Sequence, residues 1–109
     1  MLKHLDEKSE LLTALAHPAR YHIVMLLLSS EMSTGDIASS CGLSREAASH
    51  ALCYLCDRGY ILRRVQGTYR FYRCEHEGMR TLMPLLNRIA GSLREPSSRK
   101  GISRKKRRP

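Results

Sequence analysis

Gly42 separates two short amphipathic segments, and this arrangement constrains the fold of the chain more than any other feature. Ahead of the glycine, Ile37 and Cys41 lie four residues apart, which places them on one face of a helix. Glycine readily takes the left-handed backbone conformation found at helix ends, so we expect Gly42 to end that helix. Leu43, the next residue, is then expected to fill the corner between this helix and a second one.

Polar and apolar residues segregate along the segment that follows the glycine. Ser44 is expected to cap a second helix, as Ser33 and Thr34 can cap the first, because their hydroxyls can accept a backbone N–H of the first turn. Three apolar residues are expected to face inward: Ala48, Leu52 and Leu55. Four polar residues face outward and can contact base edges in a DNA major groove: Arg45, Glu46, Ser49 and His50. The pattern indicates a helix-turn-helix with a recognition helix, although an ordinary amphipathic surface helix shows the same pattern.

The residues after Gly59 favour DNA binding over that alternative. Two runs rich in aromatic and β-branched residues, 60–65 and 69–74, flank Gln66-Gly67-Thr68, which predicts a β-hairpin. Four arginines lie along it: Arg63, Arg64, Arg70 and Arg73. A basic hairpin directly after a recognition helix is the arrangement of a winged helix. We therefore predict a mostly helical α+β winged helix-turn-helix with about five helices and one β-hairpin wing.

This architecture assigns DNA contacts to three sets of side chains. Base contacts are assigned to the outward face of the recognition helix, at Arg45, Glu46, Ser49 and His50. Phosphate contacts are assigned to the hydroxyls of Thr34 and Ser44. Further contacts with the DNA backbone are assigned to three arginines of the wing, Arg63, Arg64 and Arg70.

Many positions match the sequence pattern of one known protein family in the same order and spacing: residues 12–20, 23–28, 35–38, 42–44 and 47–49, followed by Leu52, Leu55, Asp57, Gly59, Gly67, Tyr69, Tyr72 and Arg73. Over roughly residues 8–93, and with no evident gap, the chain resembles the ArsR-type (ArsR/SmtB) winged-helix repressors of bacteria. The resemblance implies a homodimeric repressor that binds a pseudo-palindromic DNA operator. It also implies release from the operator by a small inducer, whose identity the sequence does not give, or by a change of redox state.

The remaining segments predict three more helices. Residues 5–15 form an amphipathic helix with Leu11, Leu12 and Leu15 inward, and residues 18–29, which begin at Pro18, form a helix buried on most sides. A last helix, 77–93, carries an apolar stripe, and Pro84 is expected to kink it or delay its start. In the resembled family the first and last helices form the dimer interface, although the stripe is equally compatible with an intramolecular core.

Positive charge is concentrated at the end of the chain. The formal net charge is +9, and residues 94–109 carry eight Lys or Arg against one Glu. A segment of this composition cannot bury a core, so we predict one domain for DNA binding and dimerisation, 1–93, and a disordered basic tail, 94–109. The tail is expected to add salt-sensitive phosphate contacts, and a merely solubilising role is the alternative.

Other function classes fit the sequence less well. The first residues carry charges where a secretory signal needs an apolar core. The longest apolar run, 23–28, is too short to cross a membrane. Both observations predict a cytoplasmic protein with no membrane partner. A Cys-x-x-Cys pair lies in the last turns of a helix, whereas dithiol oxidoreductases place it at a helix start, so we expect no enzymatic activity and no cofactor. A winged helix that binds RNA or another protein, with no effector response, is the main alternative.

The sensing chemistry depends on the cysteines. The resembled family has two metal sites. At the first, this chain has Ser33 and Gly35 in place of the two cysteine ligands, and at the second only His76 could bind a metal, so no metal site is expected. Cys41 and Cys74 are interpreted as small buried apolar residues. Cys53 and Cys56 share one face of the recognition helix and are candidates for thiol sensing, with a purely structural role as the alternative.

Overall fold

The computed structural model describes the backbone of residues 2–94 and the side chains of residues 6–91. Its elements are, in chain order, α1 (Leu2–Ala16), α2 (Pro18–Ser29), β1 (Met32–Ser33), α3 (Thr34–Cys41), α4 (Arg45–Asp57), β2 (Leu62–Gln66), β3 (Tyr69–Arg73) and α5 (Glu77–Arg94). The predicted α+β winged helix-turn-helix is therefore confirmed, with α3 and α4 as the helix-turn-helix and β2 and β3 as the wing.

The first two helices agree with the sequence pattern except at one leucine. His17 has extended backbone angles and Pro18 occupies the first position of α2, where its missing N–H costs no hydrogen bond. Within α2, Ile23 and Leu27 are buried, whereas Leu28 is half-buried, so this helix is covered on most but not all sides. The expectation that Leu12 faces inward is wrong for the isolated chain, since 58% of that residue is exposed.

Both helices of the helix-turn-helix are capped as the sequence predicts. The Ser33 hydroxyl accepts the Asp36 N–H at 3.2 Å, and the Ser44 hydroxyl accepts the Ala47 N–H at 3.0 Å. Gly42 ends α3 in the left-handed conformation, with φ of 67°. Four of the residues that were predicted to face inward are fully buried, which fixes the orientation of α4: Ile37, Ala48, Leu52 and Leu55.

The wing belongs to a small sheet with one more strand than the sequence predicts. The strand order is β1-β3-β2, and both pairings are antiparallel, with Met32 opposite Tyr72 and Arg64 opposite Phe71. The wing strands close through Gly67 and Thr68, and Gly67 takes a φ of 61°, as a tight hairpin turn requires. A strand of two residues is too short to produce a recognisable alternation of polar and apolar residues, so β1 was not predictable from the sequence.

The two strands of the wing are shorter than the β-prone runs of the sequence. Tyr60 and Ile61 precede β2 and are buried, and the Tyr60 N–H donates to the Leu55 carbonyl at the end of α4. These residues therefore fasten the wing to the core instead of extending it. Cys74, just after β3, is also buried, which confirms its interpretation as a small buried residue, whereas Cys41 is half-buried.

The described residues divide between Met79 and Arg80 into two units, so the start of α5 belongs to the first unit and the rest to the second. In the first unit, His76 Nδ1 accepts the Met79 N–H at 3.2 Å, and this bond caps α5. In the second, α5 continues through Pro84 to Arg94, so the expected late start is wrong. The predicted basic tail lies outside the described residues, apart from Arg94.

Over the described residues, no single helix is long and apolar enough to span a membrane. One pair of helices, Asp6–Ala16 and Pro18–Ser29, meets the length and composition requirement only when the two are taken together, and they are bent by 94° at their junction.

Candidate nucleic-acid interface

The outward face of α4 presents the four side chains that were assigned to base contacts. They are all exposed and lie on one open surface together with Cys53: Arg45, Glu46, Ser49 and His50. The burial of Leu52 and Leu55 on the opposite side of the helix holds this row outward. A helix with such a row at its first two turns can enter a major groove and donate to, or accept from, base edges.

A cleft of about 220 Å³ separates α4 from the wing, and we name it the wing cleft. Its lining comes from the start of α3, from α4 and from the wing: Ser33, Thr34, Gly35, Arg45, Ser49, Thr68, Tyr69 and Arg70. Two guanidinium groups, several hydroxyls and the N-terminal end of α3 thus border one cavity, and all of them favour an anion. This composition suits one stretch of sugar-phosphate backbone.

Gly35 lets Arg45 lie across the start of α3. A Cβ atom at position 35 would be 2.8 Å from Nη2 of Arg45, which is closer than real Cβ atoms come to other heavy atoms. Any larger residue would therefore move the guanidinium out of its position in the wing cleft. In the sequence, Gly35 is recognisable only as part of the family resemblance, and nothing there indicates this role.

Three wing arginines were assigned to the DNA backbone, and the structure separates them. Arg63 and Arg70 are exposed and both line the groove that faces α4. Arg64 lies on the other face of the hairpin, where it forms an ion pair with Glu31 at 2.8 Å and stacks over the Phe71 ring at 4.6 Å. A contact of Arg64 with DNA stays a prediction. In this structure its side chain stabilises the hairpin through Glu31 and Phe71.

Glu31 is the acceptor that holds this second face of the wing. Both of its oxygens accept from Arg64, at 2.8 and 3.2 Å, and Arg73 approaches to 3.8 Å. The hydrogen bond with Arg64 lowers the pKa of Glu31, while the same contact raises the pKa of Arg64. Glu31 lies just before β1, so the ion pair connects the wing to the segment that leads into the helix-turn-helix.

An aromatic contact on α4 was also missed from the sequence. Arg20 and Arg58 cover the Tyr54 ring, with their guanidinium carbons 4.0 and 3.7 Å from its centroid. Arg20 in addition donates to the carbonyls of Thr13 and Ala14 at the end of α1. The stack therefore joins the α1–α2 corner to the recognition helix, and it occupies the guanidinium of Arg58.

The two candidate sensing thiols differ in their surroundings. Cys53 is exposed and its Sγ lies 4.0 Å from an Asp57 carboxylate oxygen, whereas Cys56 is half-buried. Burial raises the pKa of Cys56, and the nearby charge of Arg63 opposes that rise only in part. Within the part of the chain that the structure describes, no group of three or more metal-ligating side chains comes together.

The wing adds two exposed side chains that were not predicted to contact DNA. Tyr69, which is 64% exposed, and Thr68 border the wing cleft. Their position at the tip of the hairpin, next to a glycine turn, was the available signal. Tyr69 also stacks obliquely on Phe71, with the ring centroids 6.2 Å apart. Its ring therefore lies on the same face of the hairpin as Phe71 and Arg64.

No protein-family model matches the chain. The transcriptional activator HlyU of Vibrio cholerae is 32% identical over 89 residues, a span that covers 82% of each chain. A solved structure of V. cholerae HlyU superposes with a TM-score of 0.76 at 30% identity, covering 82% of this chain and 97% of that one.

Two further solved structures are similar over comparable spans. The transcriptional repressor BigR of Xylella fastidiosa has a TM-score of 0.76 at 29% identity, covering 82% of this chain and 91% of that one. A domain from Mycobacterium bovis has a TM-score of 0.75 at 29% identity and covers 84% of this chain and 85% of that one. The M. bovis domain is described as a homodimeric winged helix-turn-helix DNA-binding domain of a possible ArsR-family regulator.

Proposed function

The chain belongs to the ArsR family of winged-helix transcriptional regulators, and we propose that it is a homodimeric repressor that binds a pseudo-palindromic DNA operator. The observation that carries the proposal is the exposed polar row of α4 next to the wing cleft. One surface thus offers side chains for base edges beside a cationic cavity for the adjacent phosphates.

Each proposed contact follows from side-chain chemistry. Arg45 is suited to the paired acceptors of guanine, and Glu46 to the amino group of cytosine. Ser49 and His50 can each donate to a base edge or to a phosphate. Thr34, which borders the wing cleft, is proposed to contact phosphate.

Further phosphate contacts come from the cap of α4 and from the wing. The Ser44 hydroxyl accepts a backbone N–H, so its own proton is available for a phosphate oxygen. Arg63 and Arg70 are exposed on the hairpin face that lines the groove beside α4. We propose that these two arginines, more than Arg64, supply the electrostatic contacts of the wing.

Homodimerisation is supported by exposed apolar side chains on the helices that form the dimer interface in the resembled family. Leu12 on α1 is 58% exposed, and Leu85 and Ile89 on α5 are 42% and 48% exposed. A second copy of the chain would cover such leucine and isoleucine side chains. A two-fold dimer would present two copies of α4 to half-sites about 34–36 Å apart, which is one turn of DNA.

Repression would follow from occupancy of a promoter by the bound dimer, with release by a small inducer or a redox change. The two named relatives differ in this respect, since HlyU is called an activator and BigR a repressor. Transcription in vitro from a promoter that carries the selected operator decides the direction. The proposal predicts that added protein lowers transcript yield, and a rise in yield would contradict repression while leaving DNA binding intact.

The test of DNA binding is selection from a random duplex pool, followed by footprinting and measurement of the mass of the complex. The proposal predicts an inverted repeat, two protected half-sites and two chains on each operator. Recovery of unrelated sequences with no consensus would contradict sequence-specific binding. In that case, binding of single-stranded RNA by the same preparation would support the RNA-binding alternative.

A further inference from the structure

A groove of about 550 Å³ runs between the second half of α4 and the wing, and we name it the helix–wing groove. Its lining includes two thiols, two guanidinium groups and a carboxylate: Cys53, Cys56, Arg63, Arg70 and Asp57. The volume lies in the range of sites that hold small molecules. The DNA contacts proposed above use the arginines of this groove but leave the thiols without a role.

The two thiols of the groove differ in exposure. Cys53 is exposed and lies both in the helix–wing groove and on the open face of α4. Cys56 is half-buried, and burial raises its pKa, so less of it is present as the reactive thiolate. A modification in this groove is therefore expected at Cys53.

The charges around Cys53 indicate the class of molecule that would react there. Arg63 and Arg70 can each pair with a carboxylate, and Asp57 can pair with an ammonium group. We propose that Cys53 is a site of reversible mixed-disulfide formation with a small peptide thiol that carries two carboxylates and one ammonium, the chemistry of glutathione. The inference rests on the proposed DNA-binding function, since it adds regulation to the same surface.

The reaction is a thiol–disulfide exchange in which the oxidant is the disulfide form of the small thiol. The Cys53 thiol loses its proton to solvent, and the thiolate attacks one sulfur of that disulfide. The S–S bond of the small molecule breaks, a Cys53–S–S bond forms, and the departing thiolate takes up a proton to become the free thiol. Excess reductant reverses the exchange and restores the Cys53 thiol.

A disulfide between Cys53 and Cys56 is a poorer product. Residues three apart on a helix have Cβ atoms about 5–6 Å apart, whereas a disulfide needs about 3.5–4.5 Å. That bond would have to distort α4, while an adduct on Cys53 fits the existing groove. The adduct would engage Arg63 and Arg70 and occupy the space between helix and wing, so the modified protein would bind DNA more weakly.

The first arm of the test measures modification without DNA. The reduced protein is incubated with glutathione disulfide, and intact-mass and peptide mass spectrometry follow. One glutathionyl group on Cys53 is expected in the wild type and in the matched variant Cys56→Ser, and none at that position in Cys53→Ser. Equal labelling of Cys56, or loss of two hydrogens without an adduct, would overturn the proposal.

The charge argument has its own control in the choice of disulfide. Cystamine is a cationic disulfide, and it is expected to react with Cys53 more slowly than glutathione disulfide, by at least about fivefold, because two guanidinium groups and only one carboxylate line the groove. In Arg63→Gln the ratio of the two rates should fall toward one. Equal rates for the two disulfides with the wild type would refute recognition by the groove.

The second arm measures operator binding by fluorescence anisotropy. Glutathionylation should weaken binding at least about tenfold in the wild type, with recovery after dithiothreitol, and leave Cys53→Ser unaffected. An adduct on Cys53 with unchanged operator affinity would overturn the regulatory inference. If the reduced protein binds no DNA sequence specifically, the proposed function fails instead, and the mass measurements still report on the thiol.

Discussion

Arg70 and Arg64 provide a matched pair for testing how the wing contacts DNA. Both lie on the wing, but Arg70 is exposed beside the wing cleft, whereas both oxygens of Glu31 already accept from Arg64. Within the described residues Arg70 has no ion pair. An arginine that is free before binding replaces counterions on a phosphate, and one that is already neutralised by a carboxylate contributes less to that release.

The expected magnitude follows from the number of phosphates neutralised. Loss of one phosphate contact reduces the slope of log affinity against log salt by about 0.9, so Arg70→Gln in a dimer should reduce it by about 1.8. Between 50 and 200 mM salt, the affinity of both proteins falls. The fold-loss of affinity should be about twelve times smaller for this variant than for the wild type. Arg64→Gln should leave the slope close to the wild-type value.

The assay is a series of anisotropy titrations of the selected operator at four or more salt concentrations. Circular dichroism and thermal melting of each variant confirm that the substitution leaves the fold intact. Equal reductions in slope for the two variants would refute the division of the wing into a DNA-facing and a supporting side. No reduction for Arg70→Gln would remove the wing cleft from the DNA interface.

Three further predictions concern the core, the wing cleft and the ion pair. In urea titrations, Leu52→Ala should lower the free energy of unfolding by about 2–5 kcal/mol, because the side chain is completely buried. The control Val65→Ala, at a residue that is 59% exposed, should change the free energy of unfolding by less than about 0.5 kcal/mol. Gly35→Ala should displace Arg45 and weaken operator binding in anisotropy titrations with little change in melting temperature. Glu31 has a pKa below its ordinary value of 4.5, so its contribution to stability should be complete above pH 4.5 and be lost as the pH falls through the lowered pKa. The variant Glu31→Gln should remove this part of the pH dependence of thermal melting.

Each of these has an outcome that contradicts it. Similar losses of stability for the buried leucine and the exposed valine would contradict the burial of the inward face of α4. An alanine at position 35 that binds the operator as well as the wild type would show that the position of Arg45 is unimportant. An unchanged pH profile in Glu31→Gln would show that the ion pair does not hold the wing.

The helix-turn-helix was predictable from sequence because its determinants are local. A serine at each helix start and Gly42 at the turn have the expected hydrogen bonds and backbone angles. The inward positions of α4 are separated by three and four residues, so a single sequence suffices to define its two faces. For the same reason, the sequence alone predicts the exposed row that carries the proposed base contacts.

The features that were missed depend on residues distant in sequence. The pairing of Glu31 with Arg64 spans 33 residues, and neither residue type indicates which partner it will find. The contact of Arg20 with Tyr54 likewise depends on the packing of α2 against α4. The exposure of Leu12 was misjudged because an apolar residue on an amphipathic helix can face either its own core or a second chain.

Base recognition by α4 can be measured as the ratio of the affinities for the selected operator and for a scrambled duplex, determined by anisotropy at one salt concentration. The double variant Ser49→Ala with His50→Ala should lower this ratio at least about tenfold while binding the scrambled duplex as the wild type does. The control His22→Ala, at an exposed histidine of α2, should leave the ratio unchanged. A double variant that retains the wild-type ratio would contradict base recognition by α4.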